Sequence, residues 1–325
     1  MQSWWMQMDE HGTQLEQRDV AVPQPGPGQL LVRVHAASLN RGEFVAGHGL
    51  TKAGQWKAIG GEGAGEVVAV GPDVTAFHLG DRVMGRGAGA FAQYMLLDAA
   101  ETIAVPERLT WEEAASIPLT FLVSYDMLVL QGRLKPGEWL LINGVSSGVG
   151  VASLQLGKAL GAKVIGTSGS AQKLEALKAL GLDVALHTRA PDFHAAVMDA
   201  TGGQGANLVV NTVGGSVFAE DVRSMAFEGR LATVGYVDGV LHADIDLEAL
   251  HAKRLVLFGV SNKLRTKPQK AAAVPRFVAE VMPHIAAGRI KPQIDQVLDF
   301  AQLPAAKARM EAGGHTGKIV LRMPA

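Results

Sequence analysis

Two hydrophobic periods divide this chain. Up to about residue 115 the apolar positions come in short runs, broken every few residues by Gly, Pro or charge. Residues 20–27 are Pro-rich and turn-like, and Leu30-Leu31-Val32-Arg33-Val34 reads as the strand that follows. The glycines of residues 60–71 predict turns and close packing rather than a regular helix. Gly80-Asp81-Arg82-Val83 reads as a turn into a strand, and residues 91–97 as another.

Farther on the period changes. Short apolar runs at 139–143, 163–167, 184–187, 208–211, 231–234 and 255–260 predict six strands. Helical patterns, such as 148–160 and 171–180, separate most of them. Strands alternating with helices predict a parallel sheet of βαβ units, and six strands fit a doubly wound dinucleotide fold. The tail breaks the alternation, with helical stretches at 274–287 and 304–311 and a closing strand at 318–323. We therefore expect an α/β chain in which a doubly wound unit (117–260) is inserted in a β-rich one (1–116 and 261–325).

The first strand of the series runs into Gly144-Val145-Ser146-Ser147-Gly148-Val149-Gly150 and then into a helix. Glycines let a backbone approach a pyrophosphate, and a helix start offers free N–H groups and the positive end of a dipole. The spacing departs from the common G-x-G-x-x-G. After the second strand a carboxylate usually holds the ribose 2′-hydroxyl of NAD. Here no acid occurs between Gly150 and Glu175, and Ser168, Ser170 and Lys173 occupy the place. Hydroxyls and a cation suit a 2′-phosphate, with Arg189 as a second cation, so we expect NADPH.

Composition narrows the chemistry. Among 325 residues there is no cysteine, which removes disulfides, Cys-based zinc sites, iron–sulfur clusters and a Cys nucleophile. It suits a reducing cytoplasm. The formal net charge of −1 argues against nucleic acid or an anionic membrane as partner. No signal peptide or membrane span is evident, and we expect no metal.

In order and spacing, several segments resemble the medium-chain dehydrogenase/reductase superfamily, in particular its zinc-independent quinone oxidoreductases, with polyketide-synthase enoylreductase domains nearby. They are Ser38-Leu39-Asn40, Gly60-x-Glu62-x-x-Gly65, Gly80-Asp81-Arg82-Val83, Gly89 to Tyr94, Ala115 to Pro118, the Gly144–Gly150 turn, residues 166–173, residues 201–205 and Thr316-Gly317-Lys318. The resemblance implies a GroES-like catalytic domain around an inserted Rossmann domain, with the active site in the cleft, and a homodimer. It implies that Ser146, Ser147, Gly148 and Val149 contact the pyrophosphate. Ser168, Lys173 and Arg189 would surround the 2′-phosphate, and Asn211, Val213, Gly235 and Tyr236 would lie near the ribose and nicotinamide. Asn40 would sit at the substrate end. From the residues themselves, His48 and Glu43 on the same loop, or water, are the candidate proton donors. Zinc-dependent relatives carry His at the position of Gly61.

Without a Lewis acid, hydride delivery favours an acceptor already electrophilic, a quinone or an α,β-unsaturated carbonyl. Asn40 is the candidate donor to its oxygen. A short-chain dehydrogenase shares the glycine spacing but needs Tyr followed four residues later by Lys. Tyr94, Tyr125 and Tyr236 are followed there by Asp98, Val129 and Val240. The alternative reading is an NADPH-binding sensor or interaction protein with little catalysis.

Overall fold

The computed structural model describes residues 1–9, 12–44 and 54–324. The chain opens with β1 (Gln2–Asp9), β2 (Gly12–Asp19), β3 (Gln29–Ser38), β4 (Lys57–Ala58), β5 (Glu62–Val70), β6 (Arg82–Arg86), β7 (Tyr94–Asp98) and β8 (Ile103–Ala104). Helices α1 (Trp111–Ala115) and α2 (Pro118–Tyr125) follow, and the chain widens into a π-helical turn at Asp126–Gln131. Then come β9 (Trp139–Asn143), α3 (Gly148–Ala159), β10 (Lys163–Ser168), α4 (Ala171–Lys178), β11 (Val184–His187) and α5 (His194–Ala200). The series continues with β12 (Ala206–Asn211), α6 (Gly215–Ser224), β13 (Met225–Thr233), α7 (Leu247–Ala252) and β14 (Val256–Gly259). The tail holds α8 (Lys267–Ala271), α9 (Val274–Glu280), α10 (Met282–Ala286), β15 (Ile294–Asp299), α11 (Leu303–Glu311) and β16 (Lys318–Arg322).

Two compact units result: Met1–Leu122 with Arg265–Ala325, and Val123–Leu264. In the second unit the six strands are all parallel, in the order β11-β10-β9-β12-β13-β14. Counted within that sheet the order is 3-2-1-4-5-6, the Rossmann arrangement, and its direction reverses between β9 and β12. Buried Leu141, Ile165, Val209 and Leu231 form the centre of its core. Continuous apolar strands with helices between them leave few other solutions, since both faces of such a sheet must be covered.

The first unit is mostly antiparallel. One sheet runs β2-β1-β4, and a larger one runs β15-β16-β3-β5-β6-β8. The long β3 pairs with β5 along one edge and shares its other edge between β7 and β16. Trp4, Met6, Leu30, Val32, Phe91, Met95, Phe300 and Leu303 pack its core. Pairing of β16 with the end of β3 is what carries Lys318 back beside the segment that follows Ser38.

The structure differs from sequence expectation in four places. β1 and β2 form a hairpin, although Trp4, Met6 and Met8 at alternate buried positions are the only strong signal for it. Residues 62–70 form a regular strand, and its glycines serve close backbone approach: a Cβ on Gly65 would collide with the carbonyl of Arg33 on β3. The expected helix at 274–287 is two, α9 and α10, with Pro283 in the first turn of the second. β15, unexpected, pairs parallel with β16. Among the described residues no helix is long and apolar enough to cross a membrane.

Candidate functional site

Two clusters of polar groups stand out, one in each unit. In the parallel sheet the expected cofactor residues lie at the carboxyl ends of adjacent strands or in the turns and helix starts that follow them, the end at which ligands of doubly wound sheets bind. The turn after β9 is tight. Gly144 takes a φ of +73°, and a Cβ there would strike the Thr212 hydroxyl. A Cβ on Gly150 would meet the carbonyls of Gly144 and Val145. The turn therefore lies close against its own helix, and only glycine fits. Ser147 caps that helix, accepting from the Gly150 N–H at 3.0 Å. On the other side of the helix, the Ser124 hydroxyl lies 3.0 Å from that of Ser153.

The next strand ends beside this turn. The Ser146 and Ser168 hydroxyls are 3.3 Å apart, and Ser168 Oγ accepts from the Ser170 N–H. Ser170 caps α4, whose third residue is Lys173. Arg189, exposed after β11, lies across Gly169 so closely that a Cβ on that glycine would overlap its guanidinium stem. Ser168 and Arg189 are thus brought to one corner. Asn211 ends β12 and folds the following turn: its Oδ1 accepts from Val213 and Gly214 N–H groups at 2.9 and 2.8 Å. A Cβ on Gly235 would lie 3.0 Å from the Thr212 carbonyl, and Tyr236 is exposed.

Beneath this surface lies a buried layer that the sequence reading missed. Asn143, paired in register with Asn211, donates to Asp221 Oδ1 of α6 in a short hydrogen bond and accepts from Thr167 Oγ1 at 3.0 Å. Asn143's carbonyl accepts from Thr212 Oγ1 at 2.7 Å. Burial pushes the Asp221 carboxyl well above the usual range; the hydrogen bonds from Asn143 and Asn211 oppose this, and neighbouring Glu220 adds to it. Its carboxyl therefore holds Asn143 directly, at the sheet's switch point. Polar residues ending consecutive apolar strands are the signal that marks this layer.

The second cluster joins residues far apart in sequence. Glu62, fully buried on β5, accepts from Ser38 Oγ at 2.7 Å, Asn40 Nδ2 at 2.9 Å and Lys318 Nζ at 2.8 Å, all on Oε1. Its Oε2 accepts from the Leu119 N–H at 2.7 Å. Lys318 also donates to Asn40 Oδ1 at 2.7 Å and to the Leu39 carbonyl at 2.9 Å. Asn40 Nδ2 donates a second time, to Glu43 Oε1 at 3.0 Å. Both amide hydrogens of Asn40 are thus committed to carboxyl groups rather than aimed outward. Glu43 is 4% exposed, and burial first, then Glu62, pushes its carboxyl up to about 8, against the Asn40 hydrogen bond, Lys318 and the Gly61 backbone. His48 lies outside the described residues.

Comparison with known proteins fits this arrangement. Residues 148–277 match the zinc-binding dehydrogenase family model, and residues 26–107 match the alcohol dehydrogenase GroES-like domain. A solved NAD-dependent alcohol dehydrogenase is 30% identical, with a TM-score of 0.85 and full coverage of both chains. The chain is a medium-chain dehydrogenase/reductase. A mycobacterial member complexed with NADPH is 28% identical over 99% of this chain and all of that one, with a TM-score of 0.89. A quinone oxidoreductase of Pseudomonas syringae is 29% identical at the same coverage, with a TM-score of 0.85. Curated relatives are far longer. The chain matches a phenolphthiocerol/phthiocerol polyketide synthase of Mycobacterium tuberculosis at 32% identity over 98% of its own length, but spans 15% of that protein.

The zinc named by one of these family models does not fit the residues of this dehydrogenase/reductase. There is no cysteine, and Gly61 carries no ligand. A Cβ at Gly61 would stand 2.7 Å from Glu43 Oε1, so the carboxyl already fills the space that a side chain there would enter. A dinucleotide fits better, because the Gly144–Gly150 turn, packed too tightly for any other residue at either glycine, leads into the N-terminus of α3 with its free N–H groups.

Proposed function

We propose that this dehydrogenase/reductase uses NADPH to reduce a quinone or an α,β-unsaturated carbonyl. The observation that carries the cofactor reading is the corner where the Ser146–Ser168 hydroxyl pair meets Arg189 lying over Gly169, with no acid at the end of β10. Hydroxyls and a guanidinium recognise a 2′-phosphate, which a carboxylate would repel. Ser146, Ser147, Gly148 and Val149 hold the pyrophosphate, and Ser168, Lys173 and Arg189 the 2′-phosphate. Asn211, Val213, Gly235 and Tyr236 line the ribose and nicotinamide. The NADPH complex of the mycobacterial relative supports the same choice.

A bound nicotinamide supplies hydride; the chain's own residues bind, orient and exclude water. With the Gly61 slot filled by Glu43, the acceptor must itself be electrophilic, and the Pseudomonas quinone oxidoreductase supports that class. Asn40, with its donors already used, holds the acceptor end in shape. The same reading includes a homodimer joined at β14, an edge strand on which Val256 is half exposed, and a reducing cytoplasm.

The test is NADPH oxidation, with NADH in parallel, across quinones, 2-alkenals and enoyl thioesters. Turnover with one acceptor class and a preference for NADPH is expected. Tight NADPH binding without turnover on the whole panel would replace the reductase by a binding protein, and preference for NADH would refute the role of Arg189.

A further inference from the structure

Hydride transfer to an enone or a quinone leaves an anion that must be protonated, and sequence alone does not choose among His48, Glu43 and water as the source. The buried cluster of the first unit makes the choice. Glu43 closes the 3-10 turn Arg41–Glu43, and its side chain points inward beside Gly61. One oxygen, Oε1, is held by Asn40. The other, Oε2, is fully buried and has no hydrogen-bond partner among the described residues. An orphaned buried oxygen costs free energy, so its retention calls for an explanation.

The charges around it fix which carboxyl keeps a proton. Two groups face Glu43, Glu62 from β5 and Lys318 from β16. One cation cannot neutralise two carboxylates. Glu62 takes four donors, the ammonium among them, whereas Glu43 takes the Asn40 amide and the Gly61 backbone. Glu43, buried and with the fewer donors, is therefore the one held as the acid.

We propose that Glu43 is the proton donor of the reaction, giving the proton on Oε2 to the acceptor atom made anionic by hydride transfer. The inference rests on the reductase reading given above. In the step, the Oε2–H bond of Glu43 breaks and an O–H or C–H bond forms on the acceptor. The electron pair of the old O–H bond stays on Glu43, whose new carboxylate faces Asn40 Nδ2 and Lys318 Nζ. A proton from bulk water restores the acid in the next cycle. With its carboxyl pushed up to about 8, Glu43 is protonated at neutral pH yet near enough to it to release the proton, the condition that favours general acid catalysis.

Glu43→Gln keeps the shape and carries no acidic proton. We expect its kcat with an enone to fall about a hundredfold, in the range usual for losing a general acid. NADPH affinity should stay unchanged, and the falling limb of the kcat profile near pH 8 should disappear. Glu43→Asp should keep that limb at reduced kcat. Infrared titration of the enzyme, needing no substrate, should show a protonated carboxyl band that fades as pH rises through about 8 and is missing in Glu43→Gln. If wild type reduces no acceptor on the panel, the reductase reading fails while the infrared band still reports the acid. If wild type is active and Glu43→Gln matches it within about twofold, pH limb included, the donor role is overturned. Should Glu43→Gln not fold, loss of the limb in Glu43→Asp would overturn it instead.

Discussion

The two polar clusters of this molecule are built on opposite principles. The ends of the parallel strands are lined with backbone N–H groups, hydroxyls and amides, supported below by the carboxyl of Asp221. Around Asn40 the same kind of space is filled by an ammonium and two carboxyls, drawn from residues 38 to 318. A cradle of backbone groups and hydroxyls, with its cations at the rim, suits a ligand that brings its own charge. A cluster that holds buried charge of its own resists change and keeps one proton at a defined place. The difference also explains their tolerance. Neutral groups can be exchanged for isosteres at small cost, whereas a buried charge that loses its partner is expensive.

The comparison is broken most severely at Glu62. Glu62→Gln leaves the Lys318 ammonium, only 6% exposed, without its counter-ion. A loss of about 3–5 kcal/mol of stability is expected, read as a drop in the urea midpoint at unchanged slope. A midpoint close to that of wild type would show that Asn40 and the Leu39 carbonyl suffice to hold the charge.

Arg189→Ala sharpens the other side. Removing one charge-assisted contact to the 2′-phosphate should weaken NADPH binding about tenfold or more and leave NADH binding alone. Equal weakening of both cofactors, measured by fluorescence titration, would mean that the guanidinium only shapes the loop over Gly169.

The smallest effect is expected at Asp221. Its carboxyl is raised in the folded state, so its contribution is fully present below the unfolded carboxyl's ordinary range and fades as pH rises through the folded value. Asp221→Asn should therefore cost less than about 1 kcal/mol near neutrality, since an amide replaces an already protonated acid. It should also flatten the decline in melting temperature with rising pH. A large loss at neutral pH would show that the carboxyl is ionised and that both clusters hold charge.

How much was legible beforehand follows the same division. The βαβ series, the glycine turn after β9 and the acid-free end of β10 could be read directly, because each is local: a strand, its turn and the next helix lie within a few tens of residues. Strand β15 and the β1–β2 hairpin were missed because polar residues on their open faces weaken the alternation. Asn40 was singled out as a donor to substrate, yet its amide is spent on Glu43 and Glu62, which no spacing rule reports.

The sequence by itself therefore determined the period of each half, the absence of cysteine, the glycine at position 61 and the acid-free end of β10. These fix a parallel dinucleotide-type sheet, exclude a thiolate site and favour a phosphorylated cofactor, since each depends on residue type and near neighbours. Only the tertiary structure decided that Lys318 comes to lie against Glu62, that Glu43 fills the space beside Gly61, and that Asp221 takes a hydrogen bond from Asn143. Those facts depend on which strands pair across the whole chain. Burial and the partners it provides set the proton affinity of a carboxyl, and neither exists until the sheets have closed.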